Sequence, residues 1–332
     1  GEAPMQPVRS FLIRRAVRIL PLYYVAILIV WTWRYSGRRE EWVDLAQHLT
    51  FTHIFDRTHI FWTIGPAWSL AVEVHFYLAL GLLSPLIVTL CLACKSTVTR
   101  HALLLGGTTL LWVVGLAVLG INAFVRDIPE ANAPAWFGLP AKLDNFAIGM
   151  MLAAVVASPV TSMRFGPRAA LLLRIAGFAV IAAVFSMRTV ESVPSPLGVR
   201  DIYAHSLSAV GFALILASTV LGPRESRWTE WLSHRALAWA GVISYSVYIW
   251  HEPIMIELGK RDLILQSAPE WFPFNAVVLV TFSILAGIAS YWTIERPTME
   301  MRYLFDRRGR LRERYEPHSV PARATDLHTS NR

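Results

Sequence analysis

The sequence predicts an all-α, polytopic transmembrane helical bundle. Of its 332 residues 55% are hydrophobic and only 16% charged, against about 25% charged in soluble domains. Apolar runs long enough to cross about 30 Å of hydrocarbon recur along the chain, separated by short polar breaks. Thirteen Trp and ten Tyr suit the aromatic belts of a membrane interface.

Taken in order, the runs fall at 17–36, 68–94, 101–125, 139–157, 169–187, 202–222, 236–258 and 274–294, which makes about eight spans. Pro21 is expected to kink the first, Pro253 to place His251 and Glu252 at a helix break, and Pro297 to stop the last. The 37–67 connection mixes charge with aromatics and is expected to lie along one membrane face. No internal repeat is visible, so residues 1–305 read as one membrane domain and 306–332 as a basic tail too polar to fold.

The net charge of +8 could suggest nucleic acid. The excess sits in inter-span loops and the tail, so that partner is excluded and the bilayer is preferred. One side of the membrane collects 21 Lys and Arg against 10 on the other, nine of the 21 from the C-terminal segment. Both termini are therefore expected to be cytoplasmic. Cys91 and Cys94 form a lone CxxC in an apolar run, with too few donors for a metal, and read as small lipid- or helix-facing residues. No metal is expected. The chain begins at Gly1 without a signal peptide, and its natural beginning is expected to lie upstream.

Four stretches carry chemistry. In WSLAVEVHFY, Ser69, Glu73 and Tyr77 share one helical face, whereas His75 lies about 200° around from Glu73. Glu73 and His75 therefore do not form a dyad, and Tyr77 or Ser69 is the local hydrogen-bond partner for Glu73. An intramembrane carboxylate either clamps helices or lines a polar cavity. In FLIRRAVRILPLYY, Arg14, Arg15 and Arg18 crowd like charges onto one turn, so an anion is expected among them. Lipid phosphate and a phosphorylated ligand both fit. In GVISYSVYIWHEPI, Ser244, Tyr248 and His251 share a face. In LPAKLDNFAIG, Lys142 and Asp144 mark a helix start or a cavity mouth. Glu295 and Arg296, before Pro297, read as an interfacial anchor.

Together these stretches resemble the acyltransferase-3 family of integral-membrane acyltransferases, which includes polysaccharide O-acetylases and acylases of glycosylated antibiotics. The Phe-x-x-Arg-Arg-x-x-Arg-Ile-x-Pro-x-Tyr entry is similar to Phe11, Arg14, Arg15, Arg18, Ile19, Pro21 and Tyr23. Trp-Ser-Leu-x-x-Glu-x-x-Phe-Tyr reads as Trp68, Ser69, Leu70, Glu73, Phe76 and Tyr77. Asp144 precedes a similar Phe146–Gly149 segment. Ser-Tyr-x-x-Tyr-x-x-His-x-Pro looks like Ser244, Tyr245, Tyr248, His251 and Pro253, and a closing Glu-x-Pro like Glu295 and Pro297.

The resemblance implies transfer of an acyl group, acetyl above all, from cytoplasmic acyl-CoA to a hydroxyl of a carbohydrate or glycosylated acceptor, in a bacterial inner membrane. It implies Arg14, Arg15 and Arg18 as the acyl-CoA site, Glu73, His251 and Tyr248 as catalytic, and Trp68, Ser69, Asp144 and Tyr245 as substrate-binding. The family has about ten core spans, and its first carries an Arg or Lys followed by a His, the presumed base. Nothing before Phe11 matches either, so this chain is expected to lack the N-terminal spans. Two other readings remain open: a relative that binds without turnover, and a proton-coupled transporter using Glu73, Asp144 and His251.

Overall fold

A computed structural model describes residues 8–35, 41–128, 132–158, 164–189, 199–264 and 271–305. The predicted tail at 306–332 lies outside them. Among the described residues the chain is 85% helical, with no strand. Seven helical stretches among the described residues are long and apolar enough to cross a membrane. They contain α1 (Val8–Tyr35), α3 (Ala67–Ala93), α4 (Thr97–Gly120), α6 (Leu139–Val156), α7 (Pro167–Thr189), α8 (Val199–Val220) and α11 (Phe272–Ser290).

The remaining predicted span, 236–258, is also a helix: α10 (Arg235–Lys260), whose 26 residues extend about 39 Å. It is not among the seven apolar ones, because Tyr245, Tyr248, His251 and Glu252 dilute its hydropathy. The expected break at Pro253 does not occur, and α10 runs straight through it. A proline removes one intrahelical donor, and neighbouring helices compensate for such losses within membrane bundles. Pro297 likewise does not stop the chain. A wide π turn at Tyr291–Glu295 leads into α12 (Arg296–Phe305), where Pro297 takes an opening position that needs no amide donor.

The described part of the 37–67 connection is more than a surface loop. It forms α2 (Trp42–Leu49) and a 3₁₀ turn at Thr52–Phe55, and it packs into the core. α1 holds it through side-chain to backbone hydrogen bonds. The Tyr23 hydroxyl donates to the His48 carbonyl (2.9 Å), the Tyr24 hydroxyl to that of Leu49 (3.2 Å), and Arg34 Nη1 to that of Thr63 (2.8 Å). Each such bond is worth about 1 kcal/mol net, and leaving a buried carbonyl bare would cost more. Beneath them lies a fully buried polar group. Asp44 accepts from the Thr63 hydroxyl, His48 Nδ1 lies 2.9 Å from Asp44 Oδ1, and the His48 and His53 rings stack at 4.0 Å.

The far half of the bundle packs differently. α7 crosses α8 at Gly177 and Gly211, where a Cβ on Gly177 would sit 2.6 Å from the Gly211 carbonyl oxygen. Small residues let membrane helices touch backbone to backbone. α6 meets α4 the same way, Gly115 lying against the backbone of Asp144. Short α5 (Ala133–Phe137) and α9 (Arg227–Leu232) complete the chain, the latter opened by a Ser226–Thr229 capping box.

Candidate functional site

The predicted residues gather mainly on α1, α3 and α10, at two levels. At the N-terminal end of α1 a cavity of about 710 Å³ is lined by Arg14, Arg15, Arg18, Gly241, Tyr291 and Glu295. Successive turns of α1 deliver the arginines, and glycine on α10 leaves the wall open. Arg15 lies 5.0 Å from the centre of the Tyr77 ring, which meets Phe11 edge-on at 5.6 Å. A guanidinium seated on aromatic rings is restrained while its donors stay available for an anion. Glu295, read from sequence as an anchor, is instead 4% exposed, accepts from the Ser246 hydroxyl and lines this cavity. The π turn rotates it inward, which helical spacing alone does not reveal. The Glu-x-Pro motif was the only signal for it.

Glu73 lies one turn along α3 from Tyr77 and accepts its hydroxyl, as the i,i+4 spacing predicts. His75 points elsewhere, its ring 5.4 Å from Phe55, so no dyad forms with Glu73.

The second level lies about 12 Å further along α3, from Tyr77 to Ser69. The Ser69 and Tyr248 hydroxyls pair at 2.7 Å, one donating to the other, and both lie within hydrogen-bond reach of the Pro66 carbonyl, at 3.0 and 3.1 Å. His251 Nδ1 lies 2.6 Å from the Tyr248 carbonyl. That bond makes Nδ1 the protonated nitrogen and leaves Nε2 as the basic one. Trp68 stands beside this pair, edge-on to Phe137 at 4.6 Å, with the Lys142 ammonium 5.7 Å from the Trp68 ring and 5.0 Å from that of Phe137.

Not every predicted residue joins the site. The Tyr245 hydroxyl donates to the Ile19 carbonyl (2.7 Å) and fastens α10 to α1. Ser244 donates to its own helix at Gly241. Lys142 and Asp144, paired in the sequence reading, separate: Lys142 turns to the aromatics, whereas fully buried Asp144 accepts from Ser206 on α8. Asp144 thus ties α6 to α8 and does not line the arginine cavity. Sequence reasoning also missed the contacts of Arg34 with Thr63 and of Gly65 with Glu252, whose partners are 29 and 187 residues apart in the chain. Among the described residues no group of three or more His, Cys, Asp or Glu could hold a metal.

Fold and site together define a multi-pass membrane protein with an arginine-lined end and a hydroxyl-lined end. Comparison with known proteins places it: residues 3–293 match the acyltransferase-3 family model, described as an acyltransferase domain, and the chain belongs to that family. The O-acetyltransferase OatA of Staphylococcus aureus strain NCTC 8325 / PS 47 is 27% identical over 235 residues, which is 69% of this chain and 35% of that protein. SACOL0978 of S. aureus strain COL is 23% identical over 310 residues, 87% of this chain and 47% of the relative. The chain thus spans about a third to a half of the length of these relatives. No solved structure matches it.

Proposed function

We propose that this chain is a membrane O-acyltransferase that moves an acyl group, acetyl in the first instance, from acyl-CoA to a hydroxyl of a carbohydrate or glycosylated acceptor. The observation that carries this reading is the arginine cavity on α1. Three guanidiniums facing a 710 Å³ space suit a polyphosphorylated donor far better than they suit each other. Arg14, Arg15 and Arg18 hold the phosphates, and the thioester-bearing arm extends along α3 past Glu73 toward Ser69 and Tyr248.

At the second level the acceptor hydroxyl attacks the thioester carbonyl. The new C–O bond forms as C–S breaks, CoA leaves as the thiolate, and the hydroxyl proton moves to a base. His251 Nε2 is the basic group beside the hydroxyl pair, and general-base assistance is worth about 10²–10⁴-fold. Ser69 and Tyr248 hydroxyls orient the acceptor, Trp68 offers it an apolar face, and Glu73, held by Tyr77, orients the donor arm. The arginine end then faces the cytoplasm of a bacterial inner membrane, in keeping with the Lys and Arg distribution.

The test is thiol release. Membranes containing the full-length protein are given acetyl-CoA, and free CoA thiol is followed with and without host glycoconjugate. Release above protein-free membranes, with the KM for acetyl-CoA raised about tenfold or more in Arg14→Ala and Arg18→Ala, is the expected result. Proton movement without thiol release would replace this reading by the transporter. Ligand binding without release would replace it by the non-catalytic relative.

A further inference from the structure

The turn that opens α3 is clamped from two sides by side chains distant in sequence. Backbone groups ahead of a helix have no intrahelical partner and need one from elsewhere. The Thr63 carbonyl accepts from Arg34 Nη1 of α1 at 2.8 Å. The Gly65 amide donates to Glu252 Oε2 of α10 at 2.7 Å, and the Pro66 carbonyl accepts from Tyr248 of α10 at 3.1 Å. Tyr248 and Glu252 are one turn apart on α10, with His251 between them. Glu252 therefore fastens to the turn the stretch of α10 that presents His251 and Tyr248.

Gly65 makes that fastening possible. A Cβ there would lie 2.6 Å from Glu252 Oε1 and 3.2 Å from its carboxyl carbon. Its φ lies outside the left-handed region, so alanine fits the backbone and only the carboxylate has to move. The glycine is required by the close approach, not by the turn.

We propose that Glu252 is a positioning residue: through Gly65 it sets the register between α10 and the start of α3, and so the spacing of the Ser69–Tyr248 hydroxyl pair and His251 where the acceptor arrives. This inference rests on the acyl-transfer reading above. It separates the two fates of an activated acyl group. Transfer to the acceptor needs the register, whereas slow hydrolysis by water needs only the donor bound at the arginine cavity.

The experiment uses membranes of the protein's own host carrying the full-length protein, with acetyl-CoA labelled in the acetyl group. Two quantities are read: the rate of label transfer to glycoconjugate in the membranes, and the slow thiol release of the purified protein without acceptor. Glu252→Gln keeps an amide oxygen for the Gly65 amide and retains the wild-type transfer rate. Glu252→Ala and Gly65→Ala lower transfer about tenfold or more, with acceptor-free thiol release and the melting temperature in detergent held. The double variant is no worse than either single one, because both act on one contact.

A wild-type transfer rate in Glu252→Ala, additive losses in the double variant, or transfer, acceptor-free thiol release and melting temperature falling together would each overturn the proposal. The last would mark the contact as structural support alone. If the wild-type protein releases no thiol at all, the acyl-transfer reading itself falls, and this one with it.

Discussion

The helices around the candidate site and the α7–α8 pair are held together by opposite means. Around α1, α3 and α10 the contacts are side-chain hydroxyls, an indole and a guanidinium reaching backbone carbonyls, as Tyr23, Tyr24, Trp31, Arg34 and Tyr245 do. Between α7 and α8 the contact is backbone on backbone at Gly177 and Gly211. Hydrocarbon is as apolar as leucine, so neither pair can rely on apolar burial to associate. Glycine contacts give close dispersion packing and leave no polar group exposed. Hydrogen bonds to carbonyls give attachment as well, and they bring hydroxyls, rings and charges into the interior, where a reaction can use them. The group that carries the candidate site is the one built from polar contacts.

The contrast breaks most readily at the glycine crossing. Gly177→Val places methyls against the Gly211 carbonyl and Ile215, and a cost of about 2 kcal/mol or more is expected. The check is loss of folded protein, read as a lower melting temperature in detergent, with the KM for acetyl-CoA unchanged in what folds. Arg18→Ala sits on the other side of the comparison. Arg18 is exposed at the cavity, so donor KM rises about tenfold while melting is nearly unchanged. A falling melting temperature with unchanged KM would make the arginine structural.

Tyr23→Phe sharpens the polar side. It removes one of two donors from the buried His48 carbonyl, which keeps the Phe51 amide at 3.2 Å, and a loss of about 1 kcal/mol is expected in denaturation, with acyl-CoA binding retained.

The α2 layer adds a pH dependence. Burial, with His48 stacked beside it, lowers the pKa of His53 from 6.5 to about 3. Below pH 6.5 the unfolded chain takes up a proton that the folded protein refuses until about pH 3. Stability therefore falls as pH drops through that window and is untouched above it. The melting temperature of His53→Leu should vary less with pH between 6.5 and 3 than that of the wild type; equal slopes would assign the loss to other groups. The smallest effect belongs to the lipid-facing surface: Leu82→Ala, at a position 82% exposed, should shift stability by no more than about 0.5 kcal/mol.

How much of this was legible depended on whether a partner lay within one helix. The Tyr77–Glu73 bond follows from four-residue spacing. So does the arginine cluster, because repulsion on one turn announces an absent anion. Glu295 escaped, because a π turn alters the helical phase that spacing arguments assume. Asp144 escaped, because its partner Ser206 comes from a span two helices later. The Gly65–Glu252 contact had no local signature at all, since a glycine before Pro66 reads as ordinary turn chemistry.

The sequence by itself determined the all-helical membrane architecture, the order of its spans and the family, because hydropathy, helical period and motif spacing are properties of neighbouring residues. Only the tertiary structure decided that α10 passes Pro253 unbroken, that residues 42–64 enter the core, and which carboxylates face the cavity and which merely join helices. Those outcomes turn on which distant donor reaches which acceptor. In a solvent that offers no hydrogen bonds, every buried polar group must find its partner somewhere along the chain.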